Sequence, residues 1–312
     1  MKKIVTSAMM SFLFAISGPS LAQSIVGGFG STTTEYKIIT NNPVGAGADV
    51  LARKISQIMQ ERHNINSKVY NITTGGGLAS AQEFKKERLA VTITSASALA
   101  YLPIQLGNVG YTRADFNVIN EIGIGGVIWF SSADSGINDL DDLVKVLPTL
   151  PKSSVSVGAA DGGSNAQAFL KTKNLKVPVV TFRSNSDAVL QVAGGHVPVG
   201  VVTLTTEQIW TFAAEKKIKI LGVTSKKTLE HRGHKIPSIN EKFGVPILPG
   251  GAFLAMTPGD TVEHRALKVA LLEALKDPEI EAIKKKYWPM GNYITLDEII
   301  QVAQKNQDLI KK

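Results

Sequence analysis

The 312-residue chain contains no cysteine. That absence excludes disulfides, thiolate metal sites and a cysteine nucleophile. Short catalytic signatures are missing too: there is no HExxH, no lysine-bearing phosphate loop and no Gly-x-Ser-x-Gly. Histidine is scarce. Of the five (His63, His196, His231, His234, His264), none has a serine or carboxylate partner at a telling spacing. His231 and His234 are close enough to share a helical turn, but no third ligand stands near them. A solvated basic turn is the better reading, and no metal is expected. The basic clusters are not interleaved with aromatics, which argues against nucleic acid as a partner. After the N-terminus there is no run of roughly 18 uncharged apolar residues, so no membrane span is expected.

What is present begins with a leader. Lys2 and Lys3 precede the apolar run Ile4–Ile16, and Ser20-Leu21-Ala22 offers small residues at a cleavage site. Residues 1–22 therefore read as a secretory signal peptide whose core is too short to span a bilayer. With no cysteine after that core, no lipid can be attached there. The expectation is a soluble, exported protein of the bacterial periplasm. The remaining residues can bury a core without disulfides, and their number favours two domains. The formal net charge of +8 agrees with an anionic ligand but argues weakly, because groups such as Lys284, Lys285 and Lys286 have the spacing of a solvated helical face.

Two stretches share one plan: an apolar strand, a Gly-rich loop and an amphipathic helix. They are Tyr36–Met59 and Ser153–Leu170. Asp49 in the first, and Ser164 or Asn165 in the second, are residues that cap helices. Such loops aim backbone N–H groups, with a helix dipole behind them, at open space. Two copies suggest two domains closing on one anionic ligand. Gly45-Ala46-Gly47 invites a dinucleotide reading, but Val50 stands where a third glycine belongs, and no acid ends the next strand near Asn71. No cofactor is expected.

Strands are expected at Tyr36–Thr40, Lys68–Ile72, Leu89–Thr94, Ile124–Phe130, Val155–Ala159, Val179–Phe182, Val197–Val202, Ile218–Thr224 and Phe253–Met256. Ile124–Phe130 and Phe253–Met256 are expected to pass between domains. Helices are expected at Asp49–Arg62, Leu78–Lys86, Asn138–Val146, Asn165–Lys173, Asp187–Val192 with Asp187 as N-cap, Thr261–Leu275, Pro278–Lys286 and Leu296–Leu309. This alternation implies mainly parallel sheets with ligands at the carboxyl ends of the strands.

From Lys37 to about Pro258 the chain resembles the substrate-binding receptors of tripartite tricarboxylate transporters, the TctC or Bug family. The resemblance rests on Pro43-Val44-Gly45-Ala46-Gly47-Ala48-Asp49 followed by Ala52-Arg53, on Val69-Tyr70-Asn71 before Gly75-Gly76-Gly77, and on Tyr111–Phe116. In the second half it rests on Gly158–Ser164, Ala188–Val197, Leu221–Ser225 and Ile236–Glu241.

The resemblance implies an α/β, two-lobed periplasmic binding protein of type II-like architecture. Each lobe would be a mainly parallel sheet flanked by helices, joined by crossing strands. Lobe 1 would be 23–126 plus 251–312, and lobe 2 127–250. The implied role is capture of a small carboxylate and delivery to the membrane subunits of a transporter, by a monomer with no enzymatic activity. A ligand sensor for a signalling partner and, further off, an exported enzyme on the same scaffold are the alternatives. The ligand would be gripped by the loops Asn42–Asp49 and Ala159–Asn165, with Asn42, Val44, Gly45, Ala46, Asp49, Ala159, Asp161, Ser164 and Asn165 as candidates. Ser95, Ser97, Arg183 and Thr203, near strand ends, complete the set.

The chain departs from the family pattern at Gln167, at Phe182-Arg183-Ser184, at Val202-Thr203 and at Glu87-Arg88-Leu89-Ala90. Arg183 offers a bidentate grip on a distal carboxylate or a surface ion pair. Asp49 offers a helix cap or a contact with a ligand amine or hydroxyl. Asp161 puts negative charge into an anion loop, either for a cationic group on the ligand or for solvent.

Overall fold

The computed structural model describes residues 35–158, 160–245, 250–291 and 295–311. The expected signal peptide and Ala159 lie outside the described residues.

In chain order the elements are β1 (Tyr36–Thr40), α1 (Gly47–His63), β2 (Ser67–Asn71), α2 (Leu78–Lys86), β3 (Ala90–Ser95), α3 (Leu102–Leu106), β4 (Asn117–Ile124), β5 (Val127–Ser132) and α4 (Leu140–Lys145). There follow β6 (Val155–Val157), α5 (Ala160–Thr172), β7 (Val179–Thr181), α6 (Asn185–Ala193), β8 (Val199–Thr203), α7 (Glu207–Ala214) and β9 (Ile218–Val223). The chain ends with the hairpin β10 (Leu229–His231) and β11 (His234–Ile236), then α8 (Ile239–Phe243), β12 (Gly251–Met256), α9 (Val262–Ala274), α10 (Pro278–Tyr287) and α11 (Leu296–Lys311).

The strands form two five-stranded sheets, ordered β2-β1-β3-β12-β4 and β7-β6-β8-β5-β9. Each sheet carries two layers of core because its side chains alternate between faces. In β5, Val127 and Trp129 join one apolar cluster while Ile128 and Phe130 join the opposite one. The first sheet is covered by α1, α9 and α10 on one face and by α2 and α11 on the other. The second is covered by α4, α5 and α8 against α6 and α7.

The sheets are mixed rather than mainly parallel. β1 pairs in parallel with β2 and β3, but β12 runs antiparallel to β3 and β4. Likewise β6 is parallel to β7 and β8, while β5 is antiparallel to β8 and β9. The antiparallel pairs come from the strands that carry the chain between sheets. Ile124–Phe130 is therefore not one strand: β4 and β5 are broken at Gly125-Gly126. Both of those N–H groups donate to Gly250 O, at 2.8 and 3.2 Å, beside the returning strand β12.

Among the helix starts that differ from expectation, three lie beside the sequence-predicted site residues. Helix α1 begins at Gly47, with Ala46 at its N-cap and no side-chain cap, so Asp49 is its third residue. Helix α5 begins at Ala160, which puts Ser164 and Asn165 inside it rather than at its cap. The cap of α6 is Ser184, whose hydroxyl accepts from Asp187 N at 3.1 Å; Asp187 lies in its first turn. His231 and His234 face each other across a two-residue β-turn, not along a helix. Both rings lie against Trp210, at 5.1 and 5.7 Å between centroids.

Candidate functional site

The carboxyl ends of β1, β3, β6, β7 and β8 converge on one cleft between the sheets, of about 310 Å³. On the first lobe it is walled by the loop Asn41–Ala46 after β1, by Thr94 and Ser95 at the end of β3, and by Trp288. On the second it is walled by Gly158, by Arg183–Ser186 where β7 passes into α6, and by Thr203–Gln208 except Leu204, where β8 passes into α7. The glycines between β4 and β5 form its floor.

Asp49 builds the first wall without lining it. Its side chain is 2% exposed. It accepts from Gly45 N at 2.8 Å, from Asn71 Nδ2 at 2.9 Å and from Arg53, whose Nε and Nη2 lie at 3.0 and 2.9 Å. From the third helical position Asp49 thus reaches back past the N-cap, Ala46, to the N–H of the residue before it. Burial pushes this carboxyl up, but the bonds from Arg53, Gly45 and Asn71 outweigh it and hold it below the ordinary carboxylate value. Gly45 takes φ +83, a left-handed conformation with open space where a side chain would stand. Asn71 also donates to Asn42 O at 2.9 Å, so strand β2 pins the same loop.

Hydrogen bonds on both walls run toward the cleft. On the first, Asn42 Nδ2 donates to Asn41 Oδ1 at 3.0 Å, and Asn41 Nδ2 donates to Ser95 Oγ at 3.0 Å, which leaves the Ser95 proton for a further acceptor. On the second, Asn185 Nδ2 donates to Thr203 Oγ1 at 2.9 Å, and that hydroxyl meets those of Thr205 and Thr206 at 3.1 and 3.3 Å. The first turns of α6 and α7 bring Asn185, Ser186, Glu207 and Gln208 to the same lining, at the helix ends that favour negative charge. Arg183 is exposed at the cleft and makes no ion pair with any described residue. Thr94 Oγ1 is buried without a hydrogen-bond partner among the described residues.

Among the described residues one carboxylate, Glu207, lines the cleft. It is held bidentately by Arg232 Nη1 and Nη2 at 2.7 and 2.8 Å. Those bonds, against the opposing effect of burial, place it below the ordinary value. No group of three acidic or histidine side chains with metal-site geometry occurs among the described residues.

Of the residues singled out in the sequence, Asn42, Val44, Gly45, Ala46, Ser95, Arg183 and Thr203 line the cleft. Asp49 supports it from behind. Asn165 is buried and away from the lining. Ala159 and the side chains of Ser97, Asp161 and Ser164 lie outside what is described. Sequence reasoning missed Asn41, Asn185, Thr205, Glu207 and Trp288. Ser184-Asn185-Ser186 did carry a signal, since a serine ahead of an apolar periodic run marks a helix start.

No known family model matches the chain, and no curated protein does. Solved structures do. MatC from Rhodopseudomonas palustris with bound malate shares 13% identity over 89% of this chain and 100% of its own, with a TM-score of 0.72. An R. palustris protein with adipate shares 17% identity over 90% and 99%, with a TM-score of 0.73. The periplasmic binding protein BugD shares 14% over 90% and 95%, with a TM-score of 0.69. The fold is that of the TctC/Bug-type periplasmic binding proteins. In a fold of this type the two mixed sheets are the two lobes, and Gly125-Gly126 with Gly250 lies at the strand crossing between them.

Proposed function

We propose that this chain is an exported solute-binding receptor that captures a small carboxylate between its lobes and hands it to a transporter of the tripartite tricarboxylate type. The observation that carries the reading is the polarity of the cleft. Hydroxyl protons at Ser95 and the Thr203–Thr206 cluster, two helix N-termini, and Arg183, which pairs with no described acid, supply donors and positive charge on both walls. Closure over such a site removes water and strengthens each of these hydrogen bonds. The malate and adipate held by two structural relatives are acids of the same class.

The ligand best suited to this polarity is a dicarboxylate without an amino group. An ammonium needs a carboxylate or a set of carbonyl acceptors. Among the described side chains, Glu207 is occupied by Arg232, and Asp49 is spent on Gly45, Arg53 and Asn71. One carboxylate of the ligand would sit on Ser95 and the loop after β1, the other on Arg183 and the start of α6. The role is binding and release, with no bond made or broken.

Isothermal titration of protein unfolded and refolded to strip carried ligand tests this. Succinate, malate and adipate are expected to bind, with aspartate and glutamate at least tenfold weaker, about 1.4 kcal/mol. Preferential binding of the amino acids overturns the dicarboxylate assignment. Silence across mono-, di- and tricarboxylates and amino acids overturns the receptor reading itself.

A further inference from the structure

Strands β2, β1 and β3 lie side by side in parallel. Their carboxyl edge carries a row of polar side chains: Asn71 ending β2, Asn41 one residue past Thr40 of β1, and Ser95 ending β3. Asn42 is held through its backbone. Its N–H donates to Thr40 Oγ1 at 3.3 Å, and its carbonyl accepts from Asn71 Nδ2 at 2.9 Å. The Asn42 amide then donates to Asn41 Oδ1, and the Asn41 amide to Ser95 Oγ, each at 3.0 Å. The side-chain donors of this row all run toward Ser95. An amide nitrogen gives protons and accepts none, so the Ser95 oxygen accepts from Asn41 and its own proton is directed elsewhere.

The Gly-rich turn before α2 makes room for this row. Gly77 is buried and does not line the cleft. Its φ is +110, which favours glycine, and a Cβ there would stand 3.0 Å from Asn41 Nδ2 and 3.2 Å from Ala98 Cβ. A side chain at this position would press on the same amide that bonds Ser95. The Gly77 carbonyl accepts from Ser80 Oγ at 2.9 Å, which anchors the turn to the first turn of α2.

We infer that Asn41 is a positioning residue of the binding site, seated in space that Gly77 leaves open. By donating to Ser95 it turns the serine proton toward the cleft, and so makes this wall read acceptor groups. The inference rests on the cleft being the site of a carboxylate ligand.

Calorimetry with adipate as probe tests it, on the whole protein unfolded and refolded to strip carried ligand, with circular dichroism checking the fold of each variant. Ser95→Ala and the near-isosteric Asn41→Leu are each expected to weaken binding about fivefold, the scale of one neutral hydrogen bond. The double variant is expected to bind no more weakly than Ser95→Ala, because Asn41 acts through Ser95. Losses that multiply in full overturn the inference, and so does an Asn41→Leu variant that binds like the parent. Gly77→Ala is expected to weaken binding in the parent and to add nothing once Asn41→Leu is present; a full additional loss removes Gly77 from the row.

Asn41→Asp gives a response that packing alone would not move. A carboxylate has no proton to give, so Ser95 must turn its own proton to it and present lone pairs to the cleft. The loss near neutral pH is expected to exceed that of Asn41→Leu. The ratio of variant to parent affinity should recover as pH falls through the range of the introduced carboxyl, whose O–H then donates to Ser95; ionisation of adipate itself cancels in the ratio. Added charge acts with or without the serine, so the same ratio is measured in Ser95→Ala, where a smaller loss is expected. An equal loss in both backgrounds overturns the inference. If adipate does not bind the parent, the carboxylate reading falls and this inference with it. Equal binding by parent and variants removes this inference alone.

Discussion

Asp49 holds the first wall of the cleft by satisfying three neighbours at once. Asp49→Ala would leave the Gly45 N–H and the Asn71 amide without their acceptor, and a loss of about 2–3 kcal/mol in denaturant unfolding is expected. The carboxyl lies below its ordinary value in the folded protein. Its contribution is therefore complete above the unfolded-state value and disappears as pH falls toward the folded one. Stability measured down through the acidic carboxylate range should decline in the parent and decline less in Asp49→Asn. Arg183 behaves oppositely. It is exposed and pairs with no described acid, so Arg183→Ala should weaken dicarboxylate binding and leave the melting temperature nearly unchanged; equal affinity in the variant would remove it from the site. The sequence singled out both residues but could not assign their parts. Gly47 and Ala48 are compatible with either loop or helix, and only the true start of α1 turns Asp49 from a cap into an acid that reaches back.

At the scale of elements, strands and helices with strong apolar periodicity were legible: β1 and α2 fall at their expected bounds. The elements that escaped are short or polar. β4 is only half-buried over its first five residues, and its sequence NVINEIGI alternates too little to stand out. The hairpin β10–β11 turns through Arg232 and Gly233, at φ 50 and 77, without the Asn-Gly or Asp-Gly pair that usually marks such a turn. Yet that hairpin bears on the site, because Arg232 at its tip neutralises Glu207 and lies 5.3 Å from the Trp210 ring. Arg232→Ala is expected to release a negative charge toward the cleft and weaken anion binding. The loss should be larger at low salt, in titrations at two ionic strengths. An unchanged affinity would separate the hairpin from the site. Ser184→Ala should cost about 1 kcal/mol through the lost cap of α6, measured by thermal unfolding.

At the scale of the molecule, the sequence carried the two-lobed α/β plan but not the mixed sheets. Periodicity shows that a strand exists; the antiparallel pairing of β5 and β12 follows from chain that crosses between lobes, which no local pattern encodes. Trp288 was illegible for the same reason. It is more than 160 residues from Gly125 in sequence, and the cleft acquires it only because the chain after α10 packs back against Gly123 and Gly125. The account stands on one claim, that the two walls together hold an acid rich in acceptors. The most direct measurement is a native mass spectrum of the refolded protein offered an equimolar mixture of succinate, malate, adipate, aspartate and glutamate. The account predicts one-to-one adducts of the acids that lack an amino group, reduced in Arg183→Ala. Adducts of the amino acids alone, or none at all, would contradict it.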